Sequence, residues 1–516
     1  MPAFPSTDKN KTMFKQLLAM VLALLPVSGL FAQPSSPRKH INLDEDWRFH
    51  FGHAANPEKD FNYGLATIFS KSGGAWGTAI EPRFADSSWR RLNLPHDWAV
   101  ELPFAYADNR DVESHGFKPV GGLFPETSIG WYRRHFTVSP ADSGMRFQLQ
   151  FDGVFRNASV WVNGFYMGTH LSGYTGVNYD ITDVVRFGQD NVIVVRVDAT
   201  QYEGWFYEGA GIYRHVWLNQ YDNLHVADGG LFVFAELGKT AASIHVETTV
   251  TNQHFSSVNA TVYSLVTDRS GQIIGQSKEQ PLQLAVNGQG TVRQQIEVKN
   301  PIRWTLDQPY LYRVVTVVKK GNQVVDIVRE RFGIRTLRFD GNEGFFLNEQ
   351  PLKIFGTNNH QDHAGVGSAL PDALQYYRVK LLKNLGVNAY RTSHHPPTQE
   401  LLEACDSLGM LVLDENRSLN SSAENLQQLE WMIRRDRNHP SIILWSLGNE
   451  VYEQREGTNA WLAEKLRGEW LRGLGRRGEW GTFAIEYPFM EQPEQDLQCY
   501  QFQARLANGD GMALAE

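Results

Sequence analysis

The sequence predicts a multidomain chain of β and α/β type: a jelly-roll sandwich, an immunoglobulin-like sandwich, then an incomplete (β/α)8 barrel. Three observations predict it. A length of 516 residues corresponds to about three domains at roughly 150 residues each. Short alternating strands with turn punctuation fill residues 41–220 and again 221–337. From about residue 345 the apolar period changes to strand–helix repeats.

Composition narrows the function classes. Lys+Arg number 49 against 57 Asp+Glu, a formal net charge of −8, so the chain lacks the basic footprint of a nucleic-acid binder. With 42% apolar and 21% charged residues it can bury large cores. The 14 Trp, 19 Tyr, 29 Phe and 45 Gly suit β-rich domains and sites that stack flat ligand faces. Two cysteines cannot form a disulfide framework, and Cys405 is expected to be an apolar filler in a helix.

Taken in order, residues 1–32 read as a signal peptide. Lys9, Lys11 and Lys15 precede an apolar run over 17–25, and Pro26, Ser28 and Gly29 break it before Ala32. Met13 opens a tidier signal, and an uncleaved membrane anchor is the alternative. The run is short for a membrane span, so an exported chain with no span after cleavage is expected, periplasmic or extracellular.

Residues 41–220 alternate at 46–51, 146–151, 158–162 and 192–197. Asn163-Gly164 gives a two-residue hairpin, because a type I′ turn needs φ > 0 at both positions. Many short strands without helical spacing suggest a sandwich or jelly roll. Residues 221–337 repeat the style over about a hundred residues, the size of an immunoglobulin-like sandwich, without the Cys-Trp-Cys pattern of antibody domains.

From 338 to 466 the sequence reads as the N-terminal half of a barrel. A strand over 350–356 leads to a helix over 370–385, with Pro371 at its start and Gly386 at its stop. Strands at 387–391, 410–414 and 441–447 alternate with helices around 401–408 and 426–437. In such a barrel the site lies at the C-terminal strand ends. Those ends carry Asn358, His360, Asp362 and His363; Arg391, His394 and His395; Asp414, Glu415 and Asn416; and Asn449 and Glu450. A carboxyl at the rim of an apolar strand is partly desolvated, which favours the protonated form that a general acid needs. Asn449 beside it can hold a sugar hydroxyl through its amide. His360 with His363 has the spacing of a metal pair, and Asp414-Glu415 has the alternative reading of a helix-start acidic pair. Four strands ending in groups fit for hydroxyl-rich ligands favour the sugar reading.

Three stretches carry a resemblance: Gly209-Ala210-Gly211-Ile212-Tyr213-Arg214, residues 388–396 with Arg391, His394 and His395, and residues 438–450 ending in Trp445-Ser446-Leu447-Gly448-Asn449-Glu450. Over about 43–457 the chain resembles glycoside hydrolase family two, the family of bacterial β-galactosidases, β-glucuronidases and β-mannosidases. The resemblance implies a sugar-binding jelly roll, an immunoglobulin-like domain and a catalytic barrel. It implies retaining exo-hydrolysis of terminal β-galactosides, with a β-linked oligosaccharide or glycoside as partner. Glu450 is then the catalytic proton donor and later base. Asn449 contacts the 2-hydroxyl, His360 and His394 line the sugar site, Arg391 matches the active-site arginine, and Asp414-Glu415 the acidic pair after the third strand. Asn416-Arg417-Ser418-Leu419 lacks the glutamate and histidine that hold magnesium in some β-galactosidases, so neither metal nor cofactor is expected.

A second carboxylate is expected about 5–5.5 Å from the acid in a retaining enzyme. In the family it lies well beyond the acid/base, on a later strand. A complete barrel takes about 250 residues, more than 338–516 supply, so the barrel is read as stopping near its midpoint and the chain as inactive. Residues 467–516 read as an aberrant tail of frameshift or premature-stop type; five glycines fall between 467 and 482, and Glu486 lies too close after Glu450 to serve as nucleophile. β-Glucuronidase, β-mannosidase and a non-catalytic carbohydrate-binding fragment are the alternatives. Trp205, Phe206 and Tyr207 either reach the site as stacking aromatics or pack under a loop.

Overall fold

A computed structural model describes residues 36–66, 76–204, 206–418, 420 and 422–449, together with the backbone of three short strands, Thr482–Ala484, Phe502–Arg505 and Met512–Ala515. The leader reading on 1–32, and the readings on Trp205, Glu450 and Glu486, fall outside the described residues.

The first sandwich packs a four-stranded sheet on a six-stranded one. The smaller runs Lys39–Asn42, Val216–Tyr221, Arg146–Phe151, Val177–Asp180; the larger runs Arg90–Leu92, Trp47–Phe51, Ile129–Thr137, Asp190–Asp198, Ala158–Val162, Phe165–His170. Trp47, Phe49, Leu149, Phe151, Val195 and Val197 meet between them. Asn163 and Gly164 both take positive φ, 54° and 84°, as the hairpin requires.

The second sandwich pairs Leu224–Leu237, Ala241–Asn252 and Gln289–Lys299 in one sheet. Ala241–Asn252 alternates strictly between half-buried and buried positions, the signature of a strand with one face in a core. Its buried set, with Ile244 and Val246, packs on Val266 and Val314 of the opposing sheet.

The α/β layer follows. Strands β1 (Gly356–Asn359), β2 (Ala389–Thr392), β3 (Leu411–Glu415) and β4 (Ile442–Ser446) are parallel neighbours in that order. Helices α1 (Asp372–Asn384), α2 (Gln399–Leu408) and α3 (Ala423–Asp436) connect them. Thr398 and Ser422 cap α2 and α3 by accepting from Leu401 N and Asn425 N, and Gly409 ends α2 at φ 72°. Cys405 is buried among Leu402, Met410 and Met432, as a filler should be.

One element departs from the reading. The strand expected over 350–356 is split: Gln350–Pro351 pairs with Gly344–Leu347 in an antiparallel hairpin sheet, and the layer's own strand begins at Gly356. Leu352 N still donates to Phe345 O, so the chain leaves the hairpin before joining the parallel sheet. Beyond β4, Thr482–Ala484 pairs parallel to it, and Phe502–Arg505 and Met512–Ala515 continue antiparallel. The antiparallel pairs depart from the all-parallel order of β1 to β4. Among the described residues no helix is long and apolar enough to cross a membrane.

Candidate active site

Parallel pairing brings the C-terminal ends of β1 to β4 to one edge, so side chains distant in sequence converge there. Glu415, the last residue of β3, is the hub. Its Oε2 accepts from Arg391 Nε (2.9 Å), Arg391 Nη2 (2.7 Å) and Ser446 Oγ (2.7 Å); its Oε1 accepts from His394 Nδ1 (2.7 Å). Burial alone would push this carboxyl up. The His394 hydrogen bond and the Arg391 charge instead hold it below its ordinary value.

Arg391 extends the network. Its Nη2 donates to Asn449 Oδ1 at 2.9 Å and its Nη1 to Asn358 Oδ1 at 3.3 Å. A guanidinium only donates, so Asn449 must turn its oxygen towards Arg391 and present its Nδ2 elsewhere. Thus Arg391, His394 and Asn449 share one cluster. His360 joins it through its ring, edge-to-face on His394 at 5.4 Å. Burial and the nearby His394 lower its pKa.

Asp414 does not join them. Successive residues of a strand point to opposite faces, so Asp414 and Glu415 cannot share a side. Asp414 is fully buried beside Asp436 of α3, whose carboxylate is gripped by Arg435 at 2.5 and 2.6 Å. Burial and the Asp436 charge raise Asp414 well above the carboxylate range, and neither of its oxygens receives a donor. Asp414 lies between sheet and helix, apart from the cluster that Glu415 gathers. Among the described residues His360 and His363 join no group of three metal-ligating side chains, and His363 Nδ1 lies 3.1 Å from Ala364 O. Both Glu415 oxygens are engaged by Arg391 and His394, and Asn416, Arg417 and Ser418 after β3 add neither carboxylate nor imidazole for magnesium.

The first sandwich reaches this edge. Phe206 is buried, with its ring stacked on His360 at 4.7 Å, so it packs against site histidines. Tyr207 Oη donates to Asp97 Oδ2 at 2.7 Å. Asp97 also accepts from Ala210 N and Ser368 N, both at 2.9 Å, joining the 209–214 stretch to the loop after β1. Gly209 sits at φ 73°, where a Cβ would meet Asp97 Oδ2 at 2.4 Å, so the glycine is required. Arg214 donates to Pro396 O (2.8 Å) and Gln361 Oε1 (3.2 Å), across to the loops beside His394 and His360. Asp97 carried no local sequence signal.

Comparison with known proteins fits this geometry. Residues 69–221, 224–335 and 340–465 match, respectively, the sugar binding domain, a second domain and the TIM barrel domain of glycosyl hydrolases family 2. The chain belongs to glycosyl hydrolase family 2. Within the family it is 35% identical to the beta-galactosidase BoGH2A of Bacteroides ovatus over 433 residues, 81% of this chain and 47% of that protein. It is 28% identical to a beta-glucuronidase of Bacteroides fragilis over 468 residues, 85% of this chain and 60% of that one. A solved family 2 structure from Bacteroides cellulosilyticus superposes with a TM-score of 0.74 at 32% identity, covering 87% of this chain and 58% of that one. The chain spans about half the length of the curated relatives it matches.

Proposed function

We propose that this edge is the sugar site of an exported β-glycosidase of β-galactosidase type. The observation that supports it best is the Glu415 hub on β3, which fixes Arg391 and His394 of the β2 end and, through Arg391, Asn449 of the β4 end. A buried, fully bonded anchor leaves the outer groups rigid, as directional hydrogen bonds to sugar hydroxyls need. Asn449 offers its Nδ2 to a hydroxyl, His360 and His394 line the ring, and Glu450, next in the chain, donates the proton to the glycosidic oxygen. A retaining cycle also needs a carboxylate roughly 5–5.5 Å away. Glu415 is not that nucleophile, since its lone pairs are occupied and it is buried. No described residue is assigned as the nucleophile.

A β-glucuronide is the second reading. The Arg417 guanidinium lies 5.3 Å over Phe206, beside His360, and a cation there suits a uronate carboxylate. Relatives named beta-glucuronidase add weight to it. Calorimetric titration with a non-hydrolysable thio-β-galactoside and a thio-β-glucuronide separates the two. Saturable galactoside binding that Arg391→Ala removes is expected. Preference for the glucuronide sinks the galactoside assignment, and binding of neither sinks the sugar site. Chromogenic substrates added in parallel test the acid/base assignment: any hydrolysis should be abolished by Glu450→Gln, and hydrolysis that survives it would refute that role.

A further inference from the structure

We propose that Phe206, supplied by the first sandwich, is a positioning residue for His360: it fixes the plane of the imidazole, so two domains build one sugar pocket. The inference rests on the sugar-site reading and adds a residue to it.

The contact geometry is specific. Phe206 stacks on His360 with ring centroids 4.7 Å apart and planes 24° apart. The same ring is tilted against His394 at 5.9 Å and His395 at 6.1 Å. His360 in turn stands edge-on to His394, the ring that donates to the Glu415 hub. One side chain from another domain therefore touches three imidazoles at the ends of β1 and β2.

The loop that carries Phe206 is fastened from two sides. Glu208 Oε1 accepts from Glu203 N (2.9 Å), Gly204 N (2.7 Å) and Tyr174 Oη (3.0 Å), closing the loop on its own domain. From the barrel side, Arg417 donates through Nη2 to Glu203 O while its guanidinium lies over the Phe206 ring. Arg417 follows Glu415 by two residues, so the hub strand and the wedge are linked by a short, bonded path.

The chemistry follows from rotamer freedom. An imidazole at a strand end turns about two side-chain torsions, and a ring nitrogen recognises a hydroxyl only along a narrow range of directions. A flat aromatic partner removes the turning about χ2. With His360 on its face and the ring buried, Phe206 acts through the imidazole and makes no claim on the ligand itself.

Histidine-labelled NMR titration of the full chain tests this with Phe206→Leu, which keeps apolar volume and removes the flat face, and Phe206→Tyr, which restores it. The titratable and charged groups acting on His360 are His394, His395, Asp362 and Arg417, and all are retained in both variants. In Phe206→Leu the His360 titration should move up towards 6.5 as solvent gains access, and thio-β-galactoside affinity should fall about tenfold. His215, in the first sandwich, should titrate as before, and Phe206→Tyr should restore both readouts. An unchanged His360 titration in Phe206→Leu overturns the proposal. So does a loss that spreads to His215 and that tyrosine does not rescue, which would mark Phe206 as general packing. If His360 moves as expected while the parent chain binds no galactoside, the sugar-site reading fails and the positioning contact stands.

Discussion

Replacing Glu415 by glutamine keeps the shape of the hub and removes its charge. Glu415 has 0% of its side chain exposed and Arg391 only 11%, so the guanidinium would be left buried without a counter-ion. Stripping one member from a buried ion pair costs about 3–5 kcal/mol. Glutamine retains one oxygen that can accept from Arg391, which offsets part of this, and a loss of about 3 kcal/mol is expected. At roughly 2–4 °C per kcal/mol, the barrel transition in scanning calorimetry should drop by about 6–12 °C. The acid limb should change as well. The folded Glu415 pKa is depressed, so its contribution is full above the ordinary value of 4.5 and is lost as pH falls through the lower folded value. Glu415→Gln should lack that loss. A change below about 1 kcal/mol, with the acid limb intact, would refute the hub and place Arg391's anchor elsewhere.

Asp414 predicts the opposite behaviour. Its folded pKa is raised, so it stabilises the fold below the ordinary 3.8 and that contribution declines as pH rises towards the folded value. Asp414→Asn should therefore be as stable as the parent, or more so, in urea at pH 8; a loss above about 2 kcal/mol would mean that an ionised Asp414 is needed. His215 joins the first sandwich to α1 and α2: Nδ1 meets Asp44 at 2.6 Å, and Nε2 meets Asp372 at 3.0 Å and Glu400 at 3.8 Å. Burial would lower its pKa, yet the Asp44 bond and the surrounding carboxylates carry it to about 10. Its contribution is full below 6.5 and disappears as pH rises through about 10, so His215→Gln should lose about 2 kcal/mol at pH 6 and match the parent at pH 10.5. Equal losses at both pH values would exclude the imidazolium clamp.

Features that depend on local chemistry were legible in the sequence. Asn163-Gly164 named its own turn, and Pro371 and Gly386 marked the ends of a helix that the structure keeps. The choice between Asp414 and Glu415 was not legible. Most of Leu411–Glu415 is buried, so apolar residues line both faces and alternation gives no phase by which to tell inside from outside. Once Arg391, His394 and Ser446 are placed, Glu415 is the only one of the two that can meet them. Asp97 was hidden for a different reason, and the sequence left open whether Phe206 reaches the site or packs under a loop. The contacts Asp97–Ser368 and Phe206–His360 join residues more than a hundred positions apart on different domains, and no local period encodes such a contact. The strand over 350–356 failed at a boundary, where the hairpin and the parallel sheet share one apolar run.

A crystal structure of the 516-residue chain soaked with a thio-β-galactoside tests the sugar site most directly. The sugar should lie at the C-terminal edge of β1 to β4, with a ring hydroxyl about 2.7–3.2 Å from Asn449 Nδ2 and its glycosidic atom facing Glu450. Occupancy of any other surface, or Glu450 turned away from the bound ring, would contradict the account.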